Sequence, residues 1–536
     1  MIGAVSTLAD VAQTAGVIVA ALLAAAVLLA RSERARSAAM LAALLLTPVL
    51  LVASIWSTPQ LAALRDRPLV ALGAAGVGLV LLALGAFAIH RRPELIALAA
   101  AAALPFRVPI ESGGDTANLL LPLYLVIGAG ALAYAVPRLR AARGLDDDAG
   151  SRQRPRSLLE WLLAATVVLY AVQAAYSPDF DKALSQVIFF YVPFALLFAL
   201  LARVPWTPRL AARCLVVLLV LAVAFVGIGF VEYARRELLW NPKVISSNQF
   251  ESYFRVNSLF FDPNIYGRFL ATVMIALAAL LLWSRRTLLV AGCAVALVLL
   301  WAGLVLTLSQ SSFTALLAGL AVLGALRWGL RRAAAVVAVF VVAGVVVVLV
   351  APGAVGVDQS ADAVTSGRST LIAGGVDLAR ERPLTGWGAG AFRHEYRRQE
   401  KSSNARASAA SHTIPITVAA EQGVGGLALY LALVLVAIGG LLRGAVAAVG
   451  ARATATATAT ATASAGSSTG SSTGTSIARA AVAAAFVALV VHTLLYAAFL
   501  EDPLAWALLA VGGALAPPPA RSRRPRGQPD PVAAAS

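Results

Sequence analysis

A chain of 536 residues that is 60% hydrophobic and only 13% charged cannot cover itself with a water-soluble surface, since soluble domains carry about a quarter charged residues. Its net charge of +17 does not point to a nucleic-acid partner, because the arginines lie between apolar runs, where the positive-inside rule accounts for them. The two cysteines, Cys214 and Cys293, both fall in apolar runs and read as small buried hydrophobes, and no Cys/His spacing suits a metal.

The apolar runs are about 20 residues long, the length that crosses a bilayer core, and backbone groups in lipid must pair internally, so the runs are helices. They fall near 11–30, 37–56, 69–89, 94–106, 117–136, 158–176, 183–203, 209–231, 264–283, 287–306, 309–326, 333–351, 412–442, 480–500 and 503–516. This predicts an all-α polytopic membrane protein of about 14–15 transmembrane helices. No basic residue precedes the first run, so a cleaved signal peptide is not expected. Arg31, Arg34 and Arg36 follow the first run, Arg91 and Arg92 the third, and Arg138, Arg140 and Arg143 the fifth. Arg203, Arg209, Arg285, Arg286, Arg327, Arg331, Arg332 and Arg443 fall on the same side if every run spans. That side is the cytoplasm, which places the protein in the cytoplasmic (inner) membrane with two long outward loops.

In chain order this gives N-terminal transmembrane helices over 1–136, a basic cytoplasmic linker over 137–157, and a transmembrane core over 158–450 with outward loops 232–263 and 352–411. A low-complexity cytoplasmic linker over 451–478, C-terminal helices over 479–516 and a disordered basic tail over 517–536 follow.

The first outward loop ends in RVNSLFFDPNIYGRF, where Asp262, Pro263 and Asn264 form a turn and helix cap between Arg255 and Arg268. Arg268 falls in the first turn of a span, where a charge is costly unless paired, functional, or able to snorkel. LTLSQSS, with Ser309 to Ser312, reads as a polar turn between two spans. The second loop holds SGRSTLIAGGVDLARERP, a helix that Ser366 or Ser369 caps and Pro383 closes. Arg368 at its N-terminal end would join free backbone N–H groups, a phosphate-binding arrangement. Arg380, Arg397 and Arg398 read more simply as one side of a solvated, mixed-charge surface. GWGAG, Gly386 to Gly390, reads as a tight turn back to the membrane. His412 stands at a helix N-terminus after Ser411, which favours a neutral imidazole able to accept a proton; an interfacial histidine bonded to backbone is the plainer alternative. Glu421 lies on the opposite face of that helix and is placed to anchor a break at Gly423, Gly425 and Gly426.

In order and spacing, RVNSLFFDPNIYGRF, LTLSQSS, GRSTLIAGGVDLARERPLTGWGAGAF and SHTIPITVAAEQGVGG resemble the O-antigen ligase and polymerase superfamily of bacterial glycosyltransferases, over about 255–430. The resemblance implies a type-C glycosyltransferase-like bundle with its site facing outside. Such enzymes move a glycan from undecaprenyl pyrophosphate to an acceptor hydroxyl on a lipid or glycan, and need no metal, nucleotide sugar or other cofactor. It implies His412 and Arg368 as catalytic residues and Arg255 as the arginine before the DPN turn. Arg268, Asp262, Asn264, Ser309 and Glu421 join Arg255 as candidate substrate-binding residues. The chain departs from the family at Gln310, often arginine there, and at Thr413, often asparagine; Arg268 is the candidate replacement contact. A polymerase that joins lipid-linked repeat units would use the same groups. A lipid-linked sugar flippase should show internal repeats and midplane charges, which the sequence lacks.

Overall fold

The computed structural model describes residues 2–55, 66–112, 115–141, 157–239, 254–350, 368–399, 413–461, 469–496 and 498–515. The apolar runs wind into helices as expected. In chain order they are α1 (Ile2–Leu29), α2 (Glu33–Ile55), α3 (Pro68–Arg91), α4 (Leu95–Ala103), α5 (Leu121–Arg140) and α6 (Leu158–Ala174). Next come α7 (Phe180–Leu201), α8 (Pro208–Arg235), α9 (Pro263–Trp283), α10 (Thr287–Thr307), α11 (Gln310–Trp328) and α12 (Leu330–Val350). The last five are α13 (Arg368–Glu381), α14 (Phe392–Gln399), α15 (Ile414–Ala461), α16 (Thr469–Leu494) and α17 (Pro503–Leu515). Eleven helices among the described residues are long and apolar enough to cross a membrane, with shorter apolar helices at Leu158–Ala174 and Pro503–Leu515.

Two expectations are corrected. The 94–106 run is not a span. Its helix, α4, has nine residues and so rises only about 13 Å, less than half a bilayer core. Pro105 stops it, and the chain goes on extended into an antiparallel hairpin, β1 (Val108–Ser112) and β2 (Asp115–Leu119), paired Val108 to Leu119. Among the described residues, the regular structure is helical apart from this hairpin. The Ala/Thr tract after 451 is also not a linker throughout: α15 runs on to Ala461 and α16 begins at Thr469. Alanine has the highest helix propensity, and no glycine or proline interrupts the tract before Ala461.

The helix ends sort into two groups. One end gathers the arginines of the short connections. There Arg36, almost fully buried, donates to the Val27 carbonyl at 3.1 Å and pairs with Glu33, which also accepts from the Tyr134 phenol. Arg138 covers the Tyr134 ring at 3.9 Å. The other end gathers the N-termini of α7, α9, α11, α15 and α17 and the C-termini of α6, α8, α10 and α16. α7 and α9 are the most enclosed helices, and α3 lies wholly on the outside. Nothing apolar drives helices together inside lipid, so close approach matters more than area. Gly267 allows it at the α9–α11 crossing, where a Cβ would stand 2.6 Å from Ser312 Oγ.

Candidate functional site

The site end is built outward from the start of α9. Asp262 caps the helix, its carboxylate accepting from Asn264 N at 2.6 Å, and Pro263 occupies the first turn, where its missing N–H costs nothing. Asn264 is thereby fixed beside the α10–α11 turn. Its Oδ1 accepts from Arg255 Nη2 at 3.1 Å and from Ser309 Oγ at 2.7 Å. Arg255 Nε donates to the Thr307 carbonyl at 3.0 Å. Leu308 turns left-handed (φ 49°), and Ser309 caps α11, accepting from Ser312 N at 3.3 Å. The LSQSS segment is thus the polar turn expected, and it locks Arg255 and Asn264 together. Ser311 Oγ continues the chain of hydroxyls to His492 Nε2 of α16 at 3.2 Å.

Arg268, one turn further along α9, does not snorkel. It points into the bundle and meets Asp502 at 2.5 Å, with 3% of either side chain exposed. Asp502 is the cap of α17, accepting from Leu504 N at 2.9 Å, so the pair ties the two helix starts together. Nε and Nη1 of Arg268 have no hydrogen-bond partner among the described residues. Arg107, in the extended stretch after α4, comes close enough for the charges of Asp502 and Arg268 to act on it. Burial lowers its pKa, and Asp502 opposes that shift. Tyr496, after α16, hydrogen-bonds the Asp262 carboxylate; burial and that negative charge push its phenol upward.

A cap of helices sits beside this cluster. α13 stops before Pro383, as expected. GWGAG then turns through three left-handed glycines, Gly386 (φ 66°), Gly388 (φ 102°) and Gly390 (φ 73°). It docks on a break in α15 at Gly423 (φ 67°). Trp387 N donates to the Ala420 carbonyl at 3.0 Å, Gly388 N to the Glu421 carbonyl at 2.9 Å, and Val424 N to the Pro383 carbonyl at 2.8 Å. Backbone groups that the break frees are thus satisfied by the turn, as burial demands. The Glu421 carboxylate accepts from Phe392 N at 3.1 Å and from the Gly390 amide. It anchors the break, as its position suggested, and holds α14 in place. Trp387 lies under the Arg382 guanidinium at 3.9 Å, with Arg398 at 4.9 Å.

Between α6, α7, α15 and the 496–501 segment lies a cavity of about 330 Å³. Tyr170, Lys182, Gln186, Tyr191, Glu421, Tyr496 and Glu501 are among its polar lining residues. Gln186 donates to Glu501. Burial raises the Glu501 carboxyl, against the pull of Lys182 and Arg107.

Of the residues singled out from sequence, Arg255, Asp262, Asn264, Ser309 and Arg268 converge in one cluster, and Glu421 lines the cavity. Arg368 opens α13, but its side chain, like the whole of His412, lies outside the described residues; the chain resumes at Thr413. Sequence reasoning passed over Asp502, Arg107, Tyr496 and His492. Asp502–Pro503 repeats the Asp262–Pro263 cap signal, and Arg107 is a lone arginine at the wrong end of an apolar run. Both signals were present.

Fold and site together define a polytopic helical membrane protein with a buried arginine–carboxylate cluster and a polar cavity under one capped end. Residues 295–431, from α10 through the cap to the kinked α15, match the O-antigen ligase family. The match spans about a quarter of the chain. No curated protein matches the chain. Among the described residues no group of three or more His, Cys, Asp or Glu side chains could hold a metal.

Proposed function

We propose that the protein transfers a glycan from undecaprenyl pyrophosphate to an acceptor hydroxyl at the outer face of the cytoplasmic membrane. The observation that carries this reading is Arg268. A guanidinium removed from water needs its charge balanced and its N–H groups satisfied. Asp502 supplies one negative partner, and two nitrogens still lack one among the described residues. Arg107 and Arg255 add positive charge nearby. A pyrophosphate brings both the oxygens and the charge this arrangement lacks, and the planar guanidinium fork fits phosphate oxygens.

The acceptor O–H loses its proton to His412, and its oxygen bonds to the anomeric carbon. The bond from that carbon to the pyrophosphate oxygen breaks, and the electron pair leaves with the lipid pyrophosphate. Arginines around that oxygen stabilise the charge as it forms; losing one such donor costs roughly 10²–10³ in rate. The base contributes about 10²–10⁴. Asn264 and Ser309 position Arg255, and Glu421 holds the cap.

The test is transfer by purified protein from lipid-linked glycan extracted from the producing cells. His412→Ala, Arg368→Ala and Arg255→Ala should each lose about two to three orders of magnitude, with His412→Ala retaining wild-type thermal stability. Transfer at the wild-type rate by all three would sink the proposal. The family match also covers a polymerase, which would lengthen the lipid-linked chain instead; product masses separate the two.

A further inference from the structure

The cavity beside the arginine cluster has a different chemistry from the cluster. Two carboxylates, Glu421 and Glu501, face it against one cation, Lys182. That set offers a phosphate no excess of positive charge. The rest of the polar wall consists of phenols, the hydroxyls of Thr166 and Thr417, and the amides of Gln186 and Gln422, which are neutral and pair well with hydroxyls. Tyr496 belongs to both places: it lines the cavity, and its hydroxyl bonds Asp262 of the cluster.

Two wall groups have unfilled valences. Tyr170 Oη and Gln186 Oε1 are buried, with their residues 2% and 8% exposed, and neither has a hydrogen-bond partner among the described residues. Buried polar groups are rarely left so, and each case calls for an explanation. Gln186 is held by its amide nitrogen on Glu501, which leaves its oxygen free for a donor. A hydroxyl that can both give and accept, on the same wall as an amide acceptor, suits a ligand bearing several hydroxyls.

The backbone is shaped for this wall. α7 carries a π-helical turn at Val187–Tyr191. Lys182 and Gln186 share a face by ordinary four-residue spacing. Tyr191 is five residues beyond Gln186 and would be turned well away in a regular helix. The wider turn brings it back to the cavity, as π-bulges often do at functional sites. A volume of about 330 Å³ stands at the small end of the range for ligand sites.

We propose that this cavity is a sugar-ring subsite: it takes one glycosyl unit through Tyr170 and Gln186 while the pyrophosphate lies outside it, against the arginines. The inference rests on the transfer reading above. The ring belongs either to the lipid-linked donor or to the acceptor, and the test separates them.

Wild type, Tyr170→Phe and Gln186→Leu are compared in nanodiscs, full length. The probes are undecaprenyl pyrophosphate alone and the same lipid carrying the producing cells' own glycan; the KM for acceptor is read in the transfer assay. Wild type should bind the glycan-bearing lipid more tightly than the bare one. Tyr170→Phe should weaken only the glycan-bearing lipid, by about threefold to tenfold for one lost hydrogen bond. Its thermal stability should equal or exceed wild type, because its hydroxyl has no described partner within the fold to lose. A rise in acceptor KM by that factor, with both lipids bound as before, supports the subsite and assigns the ring to the acceptor. If neither quantity moves while the bare lipid still binds, the cavity holds only water and the subsite is overturned, with the transfer reading intact. Failure of wild type to bind either lipid would sink the transfer reading, and the subsite with it.

Discussion

Arg268 keeps only 3% of its side chain exposed, and an uncompensated buried charge costs several kcal/mol. The cost was legible in the sequence, since the residue sits in the first turn of an apolar span. The partner was not, because Asp502 lies more than two hundred residues away and no local pattern reports a tertiary contact. The same applies to Arg107. Asp262 was legible because a helix cap is a local device, read from neighbouring residues, whereas Ser309 was expected only as part of a polar turn. Removing one member of the pair is more damaging than removing both. Asp502→Ala should lower stability by about 3–5 kcal/mol, whereas Arg268→Met with Asp502→Leu should recover most of that loss without recovering transfer. Thermal unfolding in detergent measures the first part and the transfer assay the second. Unchanged stability in Asp502→Ala would show that the pair carries no such weight.

Two elements depart from regular helix, and only one could be foreseen. The break in α15 was signalled by Gly423 and its glycine neighbours, and Glu421 by its place beside them. What Glu421 grips, the amides of Gly390 and Phe392, belongs to a separate segment and depends on the fold. The π turn in α7 left no trace, because VIFFY is apolar on every side and shows no periodicity to disturb. Gly386 and Gly425 make a controlled comparison. A Cβ at Gly386 would stand 2.2 Å from the Glu421 carbonyl oxygen, on a backbone at φ +66°, while one at Gly425 meets nothing within 4 Å. Gly386→Ala should detach the cap, costing at least about 1–3 kcal/mol and exposing α13 and α14 to protease. Gly425→Ala should leave digestion unchanged and stability equal or higher. Equal digestion of both variants would mean that the turn does not hold the cap.

For the whole molecule, the apolar runs and the arginines between them separated the two ends of the bundle. The α4 run was miscounted because composition cannot show where Pro105 stops a helix, yet the extended stretch after it still carries Arg107 to the site end, so the alternation of ends survives. That alternation predicts an orientation. With Cys214 and Cys293 replaced by alanine, a cysteine at Leu384 should react with a membrane-impermeant reagent on spheroplasts, and one at Thr287 only after lysis. Both positions are exposed. The reverse pattern would turn the molecule over. The Arg268–Asp502 pair also sets a timetable for biosynthesis. The ribosome delivers α9 long before Asp502 is translated, so the nascent arginine first waits at the headgroups without its counter-ion. Its counter-ion arrives only with α16 and α17. This end of the bundle therefore waits for α17, and a chain stalled before it would leave an arginine that the quality-control machinery can see.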